Sequence, residues 1–145
     1  MSNVRLVRDV YAAFGRGDIP AVLGAFDAKI EWREAEGNPY EPSGKAWVGP
    51  DAILQNLFIR LGGEWDGFTV HPKIFHDAGD TVVVEGRYTG THKVTRKALD
   101  AQVCHVWRIR NGKLTSFQQF VDTAQFQDVM RAPTASSRPT QPARG

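Results

Sequence analysis

The chain has 145 residues, of which 41% are apolar and 23% charged, as is ordinary for one globular domain with its own core. Its net charge of +2 comes from positions 132–145, which hold two of the 18 Lys and Arg residues and no acid, so residues 1–131 carry 16 positive and 16 negative side chains. A balanced domain gives no electrostatic reason to expect nucleic acid or an anionic membrane as a partner.

Cysteine content and the N-terminus bear on the compartment. Cys104 is the only cysteine, so a disulfide within the chain is excluded and a reducing compartment is the simplest interpretation. The start of the chain carries Arg5, Arg8 and Asp9 and no apolar core of a signal peptide, and no apolar run approaches membrane-spanning length. We therefore expect a cytoplasmic protein.

Three helices are predicted in the first half of the chain. Ser2 or Asn3 can cap a helix with apolar residues at three- and four-residue spacing, which ends at the "GRGD" stretch of residues 15–18. Asp18 and Pro20 begin a short second helix. After a strand containing Trp32 and a loop rich in Gly and Pro, residues 49–63 carry a third apolar stripe at helical spacing.

From residue 65 the hydrophobic period changes to two, which predicts strands over 68–76, 80–91, 101–110 and 113–123. Asn111-Gly112 is a strong signal for a two-residue hairpin turn between the last two strands. Residues 123–131 are expected to add a closing helical turn. Residues 132–145, with three prolines and little to bury, are expected to be a disordered tail outside a single domain spanning 1–131.

Helices followed by a sheet predict an α+β fold with the helices on one face of an antiparallel sheet. In the last two strands both faces carry large apolar groups, although there are helices enough for only one side. The outer face of the sheet is therefore expected to form a homodimer.

The stretch "KIEWREAEGNPY" (residues 29–40) contains an unusual carboxylate. Alternation along a strand puts Ile30, Trp32 and Glu34 on one face, and the first two mark that face as buried. Either the strand ends before Glu34, which is then solvated or paired with Arg33 or Lys45, or the carboxylate is carried into a pocket.

The order helix, "GD", helix, "IEWRE", "GP-A-L" helix and "HVWRIRNGKLTSFQQFVDT" resembles the nuclear transport factor 2-like superfamily, in particular its branch of SnoaL-like polyketide cyclases and ketosteroid isomerase-related proteins. The resemblance covers residues 3–130. It implies a strongly curved sheet that forms a cone around a pocket, closed on one side by about three helices. It also implies a small hydrophobic molecule as partner and no cofactor.

The resemblance also implies catalytic residues. Glu34 matches the aspartate with which a ketosteroid isomerase abstracts a proton, His105 matches a second acid, and Asp122 matches the acid/base aspartate of the cyclases. For each an alternative stays open: a solvated or paired Glu34, a hydrogen-bonded core histidine, and an N-cap at Asp122 for the closing helix. The tyrosine of the isomerases is matched by Val10. Tyr11 is one residue and about 100° away on the helix, so it is not expected to substitute.

The hairpin predicts how the last two strands face each other. A two-residue turn at Asn111-Gly112 pairs His105 with Gln118 and leaves Asp122 on the same face, roughly 13 Å further along the strand. His105 and Gln118 are therefore the expected hydrogen-bonding pair. The remaining expected ligand-contacting side chains are Trp32, Tyr40, Tyr88, Trp107 and Phe120. Tyr88 is equally well explained as a core-edge tyrosine and Tyr40 as a loop aromatic that covers the core, while the other three can fill the cone themselves.

Two classes of function remain. The leading hypothesis is a cofactor-free acid/base enzyme that acts on a small hydrophobic carbonyl compound as a cyclase, isomerase or dehydratase; without the isomerase tyrosine, steroid isomerisation itself is not expected. The alternative is a non-catalytic binding or accessory domain of the same fold. His71, His76 and His92 lack ligand spacing with a nearby acid, so no metal site is expected.

Overall fold

A computed structural model describes residues 2–132 of the chain. The predicted disordered tail lies outside this range except for its first residue. Within residues 2–132, helix α1 (Asn3–Gly15) and helix α2 (Ile19–Gly24) form a short hairpin. Each begins at the cap that the sequence predicts, since Ser2 Oγ accepts from the Arg5 N–H at 3.0 Å and Asp18 Oδ1 accepts from the Ala21 N–H at 3.2 Å.

The third predicted helix is continuous but not uniform. It runs as α3 (Pro50–Ile53), a π-helical segment (Leu54–Phe58) and α4 (Ile59–Glu64). The π segment holds an extra residue in its turn, and it places Leu57 and Phe58 in the core. After the last strand, α5 (Thr123–Met130) forms the predicted closing turn. No helix among residues 2–132 is long and apolar enough to cross a membrane.

Among residues 2–132, six strands form one curled sheet that does not close on itself. They are β1 (Phe26–Arg33), β2 (Trp47–Val48), β3 (Trp65–Ala78), β4 (Thr81–His92), β5 (Ala98–Arg110) and β6 (Lys113–Val121), in the spatial order β2-β1-β6-β5-β4-β3. The α+β class is confirmed, with the helices on one side. The sheet is mixed, however, because β1 runs parallel to β6 while the other pairs are antiparallel.

The hairpin between β5 and β6 combines a confirmed turn with an unpredicted bulge. Asn111 and Gly112 both have positive φ, at 51° and 72°, as a two-residue hairpin turn of the predicted kind requires. Ile109 pairs with Leu114, but Arg108 pairs with Ser116, so Thr115 is an extra residue in β6. Beyond it the register moves by one, and Phe117 and Gln119 point into the core in place of Gln118 and Phe120.

A second bulge lies in β3, the edge strand. Pro72 pairs with Gly86 and Ile74 pairs with Glu85, which leaves Lys73 as the extra residue. Proline is tolerated there because an edge strand does not need every ladder hydrogen bond. Gly86 is the residue of β4 that pairs with Pro72. An added Cβ at this position would lie 2.4 Å from the carbonyl oxygen of His71 in β3. The close approach of β3 and β4 therefore requires glycine at this position.

We expect Gly86→Ala to lower the free energy of unfolding by about 1–3 kcal/mol, because the clash is with backbone that has to shift. Urea unfolding monitored by tryptophan fluorescence measures the change. Gly63→Ala is the matched control, since a Cβ there meets nothing within 4 Å and helix α4 gains propensity. Equal stability of Gly86→Ala and the unmodified protein would contradict the packing described here.

Candidate active site

A cavity lies between the curled sheet and the helices, and it contains about 50 Å³ of free space. Every strand except β2 and every helix except α3 contributes to its lining. Most of the wall is aromatic or aliphatic; Trp32 and Phe117, for example, stack with ring centroids 3.7 Å apart. The volume suits a few water molecules or a small ligand and is well below that of a drug-sized pocket. The polar side chains in the lining are Tyr11, Glu34, Tyr40, Tyr88, His105 and Gln119.

Glu34 follows the last residue of β1 and continues its inward face. The residue is 2% exposed, and its Oε2 accepts a hydrogen bond from the indole N–H of Trp32 at 2.9 Å. The side-chain amides of Asn38 and Gln119 donate to Oε1 over longer distances of 3.4 and 3.5 Å. Arg33 pairs with Glu31 instead. Of the alternatives left open by the sequence, the structure therefore shows the carboxylate carried into a pocket.

Burial changes the acidity of Glu34. Desolvation raises the pKa of the carboxyl to about 7, and the hydrogen bonds from Trp32 and Gln119 oppose that rise because they favour the charged form. A carboxyl in this range exists in both protonation states near neutral pH. It is thus suited to accept and return a proton.

His105 lies between two tyrosines. Its Nδ1 is 2.5 Å from the hydroxyl oxygen of Tyr11, and its Nε2 is 2.6 Å from that of Tyr88. Burial without a charged partner lowers the pKa of His105 to about 3, so the imidazole is neutral at physiological pH. Burial also raises the pKa of both tyrosines, which therefore keep their protons.

An amide pair joins this group to Glu34. The side-chain oxygen of Gln119 accepts from Asn38 at 2.7 Å and from the backbone N–H of Ala35 at 3.3 Å, while its NH₂ group donates to Tyr88 at 2.9 Å. A connected series of hydrogen bonds thus runs from Glu34 through Gln119, Tyr88, His105 and Tyr11 to the indole N–H of Trp107.

Two members of this series were missed by the sequence analysis. Gln119 lies between Gln118 and Phe120, the two residues that were expected to face the pocket, and the bulge at Thr115 turns Gln119 inward opposite His105. Tyr11 was set aside because it is one residue from the matched position, yet its hydroxyl reaches His105. The signal for Tyr11 was the helical spacing that it shares with buried Val7, four residues earlier, and with Phe14.

Three expected site residues lie elsewhere. Gln118 pairs with Val106 rather than His105, and Phe120 is 55% exposed on the outer face of the sheet, so the expectation that they line the pocket is wrong; the cause is the register shift. Asp122 caps α5, with Oδ1 accepting from the Gln125 N–H at 3.1 Å, as its alternative interpretation held.

The other expected lining residues do face the cavity. Trp32, Tyr88 and Trp107 contribute to its wall, and each also hydrogen-bonds to a neighbouring polar side chain. The ring of Tyr40 lies in the wall too, but its hydroxyl donates to Glu64 at 2.7 Å and accepts from Trp65 at 2.9 Å. Their roles in binding stay predictions. Across residues 2–132, no three His, Cys, Asp or Glu side chains come together as a possible metal site.

Residues 7–117 match the model of a family described as the SnoaL-like domain. The chain belongs to this family. Among solved structures, a nuclear transport factor 2-like protein from Burkholderia thailandensis is 40% identical, with 90% of this chain and 98% of that chain covered and a TM-score of 0.85. No curated protein matches the chain.

Two further solved structures are also similar to this SnoaL-like chain. A nuclear transport factor 2-like protein of unknown function from Burkholderia pseudomallei is 28% identical, with coverage of 91% and 100% and a TM-score of 0.81. TerC, crystallised with polyporic acid, is 25% identical, with coverage of 88% and 96% and a TM-score of 0.76.

Glu34 and His105 should make the free energy of unfolding depend on pH in opposite directions. The pKa of Glu34 is about 7 in the folded protein and 4.5 ordinarily. The contribution of the protonated carboxyl to the free energy of unfolding is therefore lost as the pH rises from 4.5 to about 7. The pKa of His105 is about 3 in the folded protein and 6.5 ordinarily. The contribution of the neutral imidazole to the free energy of unfolding is therefore lost as the pH falls from 6.5 to about 3. Between pH 4.5 and 6.5 the two slopes cancel.

A variant that lacks one of the two groups should therefore keep the pH dependence of stability that the other group causes. Relative to the unmodified protein, we expect the free energy of unfolding of Glu34→Gln to rise with pH over this window by about 1.4 kcal/mol per pH unit at most. His105→Asn should show a fall of similar size. Urea unfolding at several pH values measures both, and parallel curves for the three proteins would contradict the shifts described here.

Proposed function

We propose that this SnoaL-like protein is a cofactor-free acid/base enzyme that acts on a small hydrophobic carbonyl compound, as an isomerase, cyclase or dehydratase. The observation that carries the proposal is the carboxyl of Glu34, which is buried in an aromatic cavity and has a pKa of about 7. A buried carboxyl whose pKa lies near neutral pH is an effective base for a weakly acidic C–H group.

In the proposed step, Glu34 takes a proton from the carbon next to the carbonyl. The electron pair of the broken C–H bond forms the enolate, and the negative charge moves from the carboxylate to the carbonyl oxygen. Protonated Glu34 then returns the proton to another carbon of the enolate. In a ring closure the enolate carbon instead attacks a second carbonyl carbon of the substrate, the C=O π bond of that carbonyl breaks, and the resulting alkoxide takes the proton from Glu34. Because the pKa of His105 is about 3, we assign the proton transfer to Glu34 and an orienting role to His105.

Two features of the cavity restrict the substrate. Its wall is apolar apart from the hydrogen-bonded group around Glu34 and His105, and its free space is about 50 Å³, which favours small, hydrophobic molecules. TerC, at 25% identity, was crystallised with polyporic acid, so a related protein has been found with a small organic molecule.

We also propose that the protein is located in the cytoplasm, in keeping with the free thiol of Cys104.

The test is hydrogen–deuterium exchange followed by NMR. Small enolisable ketones and β-keto esters are incubated with the protein in D₂O near neutral pH. We expect exchange above the buffer rate, and we expect Glu34→Gln to lower it by about 10²-fold or more because the base is lost. Glu36→Gln makes the same chemical change at an exposed residue and should keep the rate of the unmodified protein.

Loss of exchange in Glu34→Gln with ligand affinity kept within a few fold identifies an enzyme. No exchange by the folded, unmodified protein on any compound of the panel would overturn the proposal. It would favour the alternative of a binding or accessory domain that uses the cavity only to hold a ligand.

We also propose that the protein is a homodimer formed through the outer face of the sheet. Phe120 and Ile74 are 55% and 50% exposed there, and both line one shallow groove together with Cys104. Apolar side chains of this size on an uncovered sheet face are typical of a surface that meets a second copy.

Sedimentation equilibrium at micromolar concentration tests the dimer. We expect a dimer for the unmodified protein and a monomer for Phe120→Glu, because a buried unpaired charge opposes association. Val94→Glu is the control, since Val94 is 77% exposed and lies outside the groove. A monomer in every case would remove this proposal and leave the catalytic one standing.

A further inference from the structure

Partly exposed side chains mark the side on which the cavity meets solvent. Among residues 2–132, most side chains of the cavity wall are buried, and four are only half-buried. Two of the four lie on helix α1 and two on the edge strand β3, namely Tyr11, Phe14, Phe68 and Val70. The route from solvent to the cavity therefore runs between α1 and β3.

Helix α1 and strand β3 are held together at one end of this route. The side-chain amide of Asn3 donates to the carbonyl oxygen of Gly79 at 2.9 Å, and the guanidinium carbon of Arg8 lies 4.1 Å from the centroid of the Phe75 ring. The rings of Tyr11 and Phe75 meet edge to face with centroids 5.8 Å apart. Beyond Tyr11, the half-buried residues of the two elements have purely apolar side chains, so this end of the route opens at lower cost.

A bulge in β3 lies at the open end of the route. The pairing of β3 with β4 shifts between Asp66 and Thr69, so Gly67 and Phe68 together lie opposite Gly90. Gly67 has a φ of 64°, the left-handed conformation that glycine adopts in one common type of bulge. Bulges of this kind change the direction in which the following side chain points.

The bulge turns Phe68 toward the cavity. Strict alternation from the buried Trp65 would place Phe68 on the outer face of the sheet, and the extra residue places it in the cavity wall. Its ring centroid lies 5.2 Å from that of Tyr88 and 5.5 Å from that of Trp65. An added Cβ at Gly90 would lie 3.1 Å from the Cα of Phe68, so the two backbones are close. The backbone of Phe68 is thus held, and the motion left to the residue is rotation of its side chain.

Phe68 is better able to move aside than the other three half-buried residues. The hydroxyl of Tyr11 is held by two hydrogen bonds, and Phe14 lies within a regular helix with its ring 5.5 Å from that of Phe58. Val70 is small, and branching at its Cβ restricts rotation. In the sheet of residues 2–132, by contrast, no strand lies beyond β3, so the Phe68 ring has room to rotate toward the sheet edge. Rotation of a partly exposed side chain is fast.

We propose that Phe68 is the specificity-determining residue at the entrance of the cavity. Small molecules enter between α1 and β3, and the Phe68 ring, which has to rotate aside, limits the width of the molecule that passes. Because the entrance is lined by three rings and a valine and carries no charge, it fits an uncharged, flat molecule with a single ring. The inference rests on the proposed function only in taking the cavity as the place where a ligand binds.

The test follows access to the cavity by quenching of tryptophan fluorescence. Trp32 and Trp107 line the cavity, and a background that carries Trp47→Phe and Trp65→Phe leaves them as the only tryptophans. Acrylamide is a small uncharged quencher, and succinimide is a wider one. We expect Phe68→Ala to raise the quenching constant of acrylamide by about threefold and that of succinimide by about tenfold, because the ring no longer has to leave its apolar contacts.

Phe75→Ala is the matched control. It removes the ring of another half-buried phenylalanine of β3, one that lies outside the cavity wall and helps to hold α1 against the strand. We expect both quenching constants to stay unchanged in this variant. An equal rise in Phe75→Ala and Phe68→Ala would mean that α1 moves away from β3 as a whole, and it would overturn the role of Phe68.

A second variant keeps the test decisive if Phe68→Ala does not fold, which circular dichroism checks. Phe68→Leu retains most of the apolar volume, and we expect its quenching constants to lie between those of Phe68→Ala and the protein with Phe68. Constants that do not change in either variant would overturn the proposal. An equal rise for acrylamide and succinimide would overturn the limit on width.

Failure of this inference is distinguishable from failure of the proposed function, because quenching requires no turnover. Deuterium exchange that is lost in Glu34→Gln, together with quenching that does not depend on Phe68, keeps the enzyme and removes the entrance. Quenching that depends on Phe68, together with no deuterium exchange, keeps the entrance and removes the enzyme.

Discussion

The pairing of β5 with β6 shifts by one residue at Thr115, and the polar contacts of Gln119 exist because of that shift. Without the extra residue, alternation would place Gln118 and Phe120 inside and Gln119 on the outer face. With it, Phe117 stacks on Trp32 and Gln119 reaches both Tyr88 and Glu34. One unpaired residue in a hairpin therefore selects which side chains meet in the cavity.

Burial acts on the two ionisable groups of the cavity in opposite directions. It raises the pKa of Glu34 to about 7 and lowers that of His105 to about 3, since in each case water is no longer available to stabilise the charged form. Donors surround the carboxylate, while each ring nitrogen of the imidazole faces a neutral hydroxyl. The same apolar wall thus leaves the carboxyl able to exchange a proton near neutrality and keeps the imidazole as a neutral hydrogen-bonding group.

Much of this arrangement could be predicted from the sequence. Caps, periodicity and the Asn111-Gly112 turn predicted the helices and the main strands, and alternation along one strand put Glu34 beside Trp32.

Two kinds of feature could not be predicted from the sequence. The parallel pairing of β1 with β6 depends on contacts far apart in the chain. A bulge such as Thr115 shifts the alternation beyond it, so Leu114 and Phe117, which both face inward, are assigned to opposite faces by a strict period of two. The misplacement of Gln118 and Phe120 follows from the bulge alone. Tyr11 was set aside for another reason, since matching Val10 to the tyrosine of the isomerases assumes that the first helix is aligned without an offset.

The parallel pair of β1 and β6 has a consequence for the order of events during synthesis. Glu34 and Gln119 are separated by 85 positions, and in the sheet of residues 2–132 the neighbours of β1 are the two-residue β2 and the late strand β6. Contacts of such long range form late, because closing the intervening chain costs entropy before any contact forms. On a growing chain Glu34 is thus an ordinary solvated carboxylate. Its raised pKa is a property of the finished sheet, so the nascent polypeptide carries a carboxyl of ordinary acidity.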